Sequence, residues 1–217
     1  MNKKSIALFI LFVVGLNVLS LGTVVFTTAK LGVSSLVSLP LVLSHILPLT
    51  LGQATSLIFV IFVSLEIILQ KSFRLKTLLQ LILAFAFGWL VDFYGLTVGL
   101  ERLHVSQLGP QIMLTLLAIL LTALGIFMMV QADFVLIPPD GLVNVLSQKT
   151  GHSFGQTKFL FDATMIVLSL ALGLTFLHRP EGIGIGTLLA VLMVGQLIRL
   201  FDFILFKFFL KEEHSAA

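Results

Sequence analysis

The chain has no cysteine among its 217 residues. Disulfides, thiolate nucleophiles and cysteine metal sites are therefore excluded. Aromatic side chains with a polar handle are nearly absent too, with one Trp and one Tyr against 20 Phe. Charge is scarce: 11% of residues are charged, against about 25% in soluble domains. His45, His152 and His178 are scattered and never fall at H-x-x-x-H spacing, so no metal site is expected. There is no Walker motif, no Ser-His-Asp grouping and no carboxylate dyad, so neither enzymatic activity nor a cofactor is expected. The short alternating segments of a membrane β-barrel are missing as well.

What is present is hydrocarbon. Apolar residues make up 58% of the chain and the mean hydropathy is +1.14. Uncharged apolar runs at 5–29, 111–130 and 182–198 approach or exceed the roughly 20 residues that a spanning helix needs. The expected fold class is all-α, a polytopic membrane protein with the lipid bilayer as its main partner. Six spans are expected, at about 5–29, 52–70, 76–97, 111–131, 156–177 and 184–208. The first run is too long for a signal-peptide core and no A-x-A site follows it, so it is expected to remain as a span.

The net charge of +3 sits at helix ends and argues for membrane orientation, not nucleic-acid binding. With the N-terminus inside, the inner side receives eight basic residues: Lys3, Lys4, Lys71, Arg74, Lys76, Lys149, Lys207 and Lys211. The outer side receives three: Lys30, Arg102 and Arg179. Both termini are therefore expected to be cytoplasmic.

Shifted by 103 residues, the sequence matches itself. Leu21-Gly22 falls on Leu124-Gly125, Ala29 on Ala132, Leu39 on Leu142, Val42-Leu43-Ser44 on Val145-Leu146-Ser147, and Gly52-Gln53 on Gly155-Gln156. After a slip of seven residues, Thr77-Leu78-Leu79 meets Thr187-Leu188-Leu189 and Asp92-Phe93 meets Asp202-Phe203. Two repeats are expected, 1–104 and 105–217. Each consists of a long helix, a short broken or re-entrant segment and two further helices. Three spans is an odd number, so the second copy enters the membrane from the opposite face, the inverted-repeat plan of many transporters. The short segments, SSLVSLPLVLSHILP from Ser34 and DGLVNVLSQK from Asp140, are either re-entrant or interfacial helices. Asp140, and Ser34 or Ser35, are placed to cap them.

These features resemble the YczE/YyaS/YitT family of bacterial integral membrane proteins, nearest its YczE-like branch. The resemblance is carried by KLGVSS, PPDGLVNVLSQKTGHSFGQ and GIGIGTLLAVLMVGQLIRLFD and covers nearly the whole chain. One departure is that Ser34-Ser35-Leu36-Val37 stands where such proteins often carry Trp-Asp after GVS-P. The resemblance implies a multi-pass protein of the bacterial cytoplasmic membrane. It supports the fold more than an activity.

The candidate substrate-binding residues are Asp140, Asn144, Ser147, Gln148, Ser34, Ser35, Asn17, Glu66 and Asp162. The competing structural readings are a cap for Asp140, an ion pair with Lys158 for Asp162, a local contact with Lys71 for Glu66 and a helix–helix bond for Asn17. Asp92, Arg199 and Asp202 are expected to be structural: Arg199 and Asp202 as a local pair, and the repeat mates Asp92 and Asp202 as contacts between repeats. Gly182, Gly184 and Gly186 are expected to allow close helix packing and not to form a phosphate loop. The leading functional expectation is a permease for a small solute bound between the repeats. The alternatives are a substrate-capturing subunit of a multi-component uptake system, or a non-transporting scaffold or regulator of partner enzymes. Assembly with a second copy or with a partner membrane protein stays open.

Overall fold

The computed structural model describes the backbone of residues 3–215 and the side chains of 4–205. Lys207 and Lys211, which entered the charge argument, have side chains outside the described residues. The described fold is all-α: α1 (Lys3–Ala29), α2 (Ser35–Ile46), α3 (Leu51–Gln70), α4 (Leu75–Asp92), α5 (Leu108–Ala132), α6 (Pro138–Thr150), α7 (Phe154–Leu172) and α8 (Ile185–Ser215). Two π-turns, Phe93–Thr97 and Gly173–Leu177, prolong α4 and α7. Six of the helices are long and apolar enough to cross a membrane, while α2 and α6 are too short. Large apolar side chains cover the outside of the bundle, among them Ile68, Phe85, Trp89, Met113 and Leu188, each more than 60% exposed. So large an apolar exterior belongs in lipid, not in water.

Local chemistry sets the boundaries. Helix α3 opens on a capping box in which Thr50 and Gln53 exchange side-chain-to-backbone hydrogen bonds, and α7 opens on the same box made by Ser153 and Gln156. The repeated Gly-Gln of the sequence is thus the N3 glutamine of a repeated helix start. Pro138 and Pro139 occupy the first turn of α6, where a missing N–H costs nothing. Gly151 closes that helix in the left-handed conformation, φ +73°.

The 103-residue spacing recurs in the element bounds. Helices α5, α6 and α7 end or begin 103 residues after α1, α2 and α3, at Ala29/Ala132, Ser35/Pro138 and Leu51/Phe154. Packing follows the same correspondence. Helix α1 lies along α5, with Gly22 against Thr122 and its mate Gly125 against Leu19, so that backbone nearly meets backbone. Helix α2 packs on α7 and α3, while its mate α6 packs on α3 and α7. The two short helices are thus enclosed by the bundle, and most of α2 and the first half of α6 are buried. Phenylalanines fill the centre: Phe59 stacks on Phe87 at 5.4 Å, and Phe62 meets Phe161 edge-on at 5.2 Å.

The correspondence breaks at one place. Among the described residues, helices α3 and α4 pack tightly, whereas α7 and α8 have no comparable packing, and α8 rests mainly on α5.

Candidate functional site

Charged and polar side chains gather in three places. The first lies where α6, α7 and α2 converge. Lys158 of α7 places its Nζ 3.0 Å from Asp162 Oδ1, one turn on, and 3.1 Å from Asp140 Oδ1 of α6. Ser35, at the start of α2, lies beside Asp162. These groups are largely shielded, with side-chain exposures of 29% for Lys158, 17% for Asp140 and 21% for Asp162. One lysine thus holds two carboxylates, leaving the group with one uncompensated negative charge when all three are ionised.

The second group is wholly buried between α3, α4 and the first turn of α6. Glu66 is 3% exposed. Its Oε1 accepts hydrogen bonds from Gln70 Nε2 at 2.7 Å and from the Thr77 hydroxyl at 3.1 Å. Its Oε2 has no partner, and neither has Oε1 of Gln80, also 3% exposed. Gly141 of α6 lies directly against both side chains.

The third place is a cavity of about 810 Å³ at the end of the bundle where α1 and α2 finish. Its walls carry Lys30, His45, Glu101, Arg179 and Glu181, with Thr50 and Ser44. Glu181 links to Arg179 at 2.6 Å and lies 3.4 Å from His45. Partial burial, and then the nearby charge of Asp92, raise the Glu101 carboxyl above the usual carboxylate range, with His45 opposing. The segment after α1 and the loop before α8 clamp one another here through backbone bonds, Val33 N–H to Gly182 O at 2.8 Å and Gly186 N–H to Leu31 O at 2.7 Å. Gly184 and Gly186 permit that approach because a Cβ at either would strike the Leu31 carbonyl. Gly184 and Gly186 thus serve close packing of backbone against the segment after α1, where helix-on-helix packing was expected.

Several expectations are corrected. Asp140 is not the cap of α6. The helix begins at Pro138, Ile137 holds the cap position, and Asp140 is free to face Lys158. Ser34 holds the cap position of α2 without a capping hydrogen bond. Glu66 does not reach for Lys71; its position on α3 turns it inward, towards α4 and α6. Asp92 and Asp202 do not join the two repeats. Asp92 binds the start of α3, accepting from Thr50 Oγ1 at 2.6 Å and Gly52 N–H at 2.8 Å. Asp202 accepts from Gln131 of α5 at 2.7 Å and makes no ion pair with Arg199.

Asn17 does join helices, since its side-chain oxygen accepts from the Tyr94 hydroxyl at 3.3 Å. Asn144 and Gln148 bond one another at 3.3 Å on the exposed flank of α6, and Ser147 bonds its own helix at Asn144 O. Their hydrogen bonds stay within α6. The cavity residues Lys30, His45, Glu101, Arg179 and Glu181 were missed by sequence reasoning, because they come from four separate segments with no shared spacing.

Six long apolar helices enclosing two short helices and shielded charge fit a polytopic helical membrane protein. Residues 6–203 match a family of unknown function, DUF6198, and the chain belongs to that family. It is also 30% identical over 200 residues to the uncharacterized protein YyaS of Bacillus subtilis (strain 168), which covers 92% of this chain and 94% of that protein. No solved structure matches.

Proposed function

We propose that this protein is a non-enzymatic permease that moves a small solute through the bacterial cytoplasmic membrane, as a member of the YczE-like branch. In this reading its halves, 1–104 and 105–217, are inverted repeats. One observation carries the reading: the short helices α2 and α6 bring Ser35 and Asp140 to Lys158 and Asp162 on a spanning helix. Ionisable groups are costly inside a membrane, about 2.5–3.5 kcal/mol each on insertion scales, and by default they mark a pathway. Short helices paired between the halves are where such folds bind their cargo. Asp140 and Asp162 outnumber Lys158, so the solute is neutral, zwitterionic or cationic and not a simple anion.

The test is solute retention and flux. The purified protein is expected to carry a small molecule detectable by mass spectrometry and to move it across proteoliposomes. Asp140→Asn keeps the shape of the side chain and removes its charge. It is expected to cut flux at least tenfold while the protein stays folded. Wild-type flux in Asp140→Asn would reject the assignment of the site. A purified protein that retains no solute but brings down another protein would point to a scaffold.

Orientation has its own check. Reporter fusions after Leu103 and after Lys211 are expected to read outside and inside, respectively. An outward C-terminus would remove both the topology and the inversion.

A further inference from the structure

We propose that Glu66, Gln80 and Gly141 form a binding site for a small monovalent cation, a proton or an alkali-metal ion, that couples to transport. The proposal deepens the permease reading by naming the class of coupling ion, but the site itself is defined without any solute.

The argument begins with unmatched acceptors. Both donors that reach Glu66, from Gln70 and Thr77, go to Oε1. Oε2 is buried and has none. The buried Oε1 of Gln80 has none either. Unpartnered buried acceptors are uncommon, because each forfeits its hydration without compensation. Both lie against Gly141, and a positive group shared between them would satisfy the two together. Among the described residues, no Lys, Arg or His stands at ion-pair distance from Glu66. An ionised carboxylate enclosed in this way requires a counter-charge.

The residue opposite brings the two side chains under one helix turn. A Cβ on Gly141 would stand 2.5 Å from Glu66 Oε2, 2.5 Å from Gln80 Nε2 and 2.7 Å from Gln80 Oε1, so only glycine lets α6 seat this closely on both. A proton meets the same need differently. Bound on Glu66 Oε2, it turns that atom into a donor towards Gln80 Oε1 and satisfies both atoms at once. An organic amine is too large for so close a contact between α6 and these side chains.

The link to the solute site is short. Gly141 follows Asp140 directly in the first turn of α6, so the helix start that lies on Glu66 also presents Asp140 to Lys158. Filling the Glu66 site changes the charge that this turn experiences. On α6, Asp140 stands beside Gly141 and pairs with Lys158 of α7, which also pairs with Asp162. Helix α4 contributes the uncharged Thr77 and Gln80, and carries Lys76 one residue before Thr77.

The experiment uses the full-length protein in detergent without solute. Thermal unfolding is measured in sodium, lithium, potassium and choline chloride at one ionic strength, for wild type, Glu66→Gln and Gly141→Ala. In parallel, the infrared band of protonated carboxyl groups is followed from acid to alkaline pH. Glu66→Gln is expected to fold, since its oxygen still accepts from Gln70 and Thr77 and its amide donates to Gln80. A rise of several degrees in sodium or lithium over choline, absent from both variants, assigns an alkali-metal ion. No alkali dependence, with a titrating carboxyl band in wild type that Glu66→Gln removes, assigns a proton. If wild type and Glu66→Gln match in every salt and in the infrared band, the site is overturned. Cation binding without solute flux would leave the site standing and remove the permease reading.

Discussion

Gly52→Ala is expected to lower stability by about 3 kcal/mol, while Gly155→Ala, at the matching position of the second repeat, is expected to shift it by less than about 1 kcal/mol. The reason lies in what each glycine faces. A Cβ at Gly52 would collide with the Gly88 carbonyl of α4 and with the Asp92 carboxylate, whereas a Cβ at Gly155 would meet nothing within 4 Å. Backbone cannot retreat as a flexible side-chain tip can. Overpacking of this kind costs about 1–3 kcal/mol, and losing charge-assisted bonds to Asp92 adds to it. Those bonds, from Thr50 and from the Gly52 N–H, are what fasten α4 to the start of α3. At Gly155 the helical preference for alanine works the other way. Thermal or denaturant unfolding in micelles reads both variants. Equal losses would mean that α8 packs on α7 as α4 packs on α3, and the open edge of the second repeat would be wrong.

That contrast also marks what the sequence could and could not convey. The match of Gly52-Gln53 to Gly155-Gln156 was legible because capping is local: a hydroxyl at the cap and a glutamine three residues on form a complete unit within four residues. Span positions were legible because lipid demands length and apolarity of each helix by itself. The use that each repeat makes of its aspartate was not. Asp92 turns to its own repeat's α3 and Asp202 to Gln131 of α5, a choice set by how α4 and α8 lean and not by the residues flanking either aspartate.

Glu66 shows the same limit. Helix α3 is apolar on all sides, so its sequence does not say which face is buried. Only the seating of α6 through Gly141 decides that Glu66 points inward. The cavity lined by His45, Glu101 and Glu181 was out of reach for a further reason: its walls are loop ends that the fold brings together from far apart in the chain.

Lys158→Met carries the other large effect and is expected to cost about 3 kcal/mol. The Lys158–Asp162 pair is visible in the sequence as an i,i+4 spacing, and such a pair on an exposed helix contributes only about 0.3–0.5 kcal/mol. The fold adds Asp140, 18 positions earlier, on the other side of the lysine at 3.1 Å. The ammonium then stands between two shielded carboxylates, and removing it leaves like charges facing each other with little water to screen them. Breaking a buried pair on one side costs about 3–5 kcal/mol, and the 29% exposure of Lys158 places this case at the low end.

The same argument fixes the rescue. Neutralising both carboxylates in Lys158→Met with Asp140→Asn and Asp162→Asn removes the repulsion, and the triple variant is expected to recover more than half of the lost stability. Unfolding of the single, double and triple variants gives the coupling among the three groups. A neutral Lys158→Met, or a triple variant no better than the single one, would mean that the three charges are hydrated independently and that Asp140 does not tie α6 to α7.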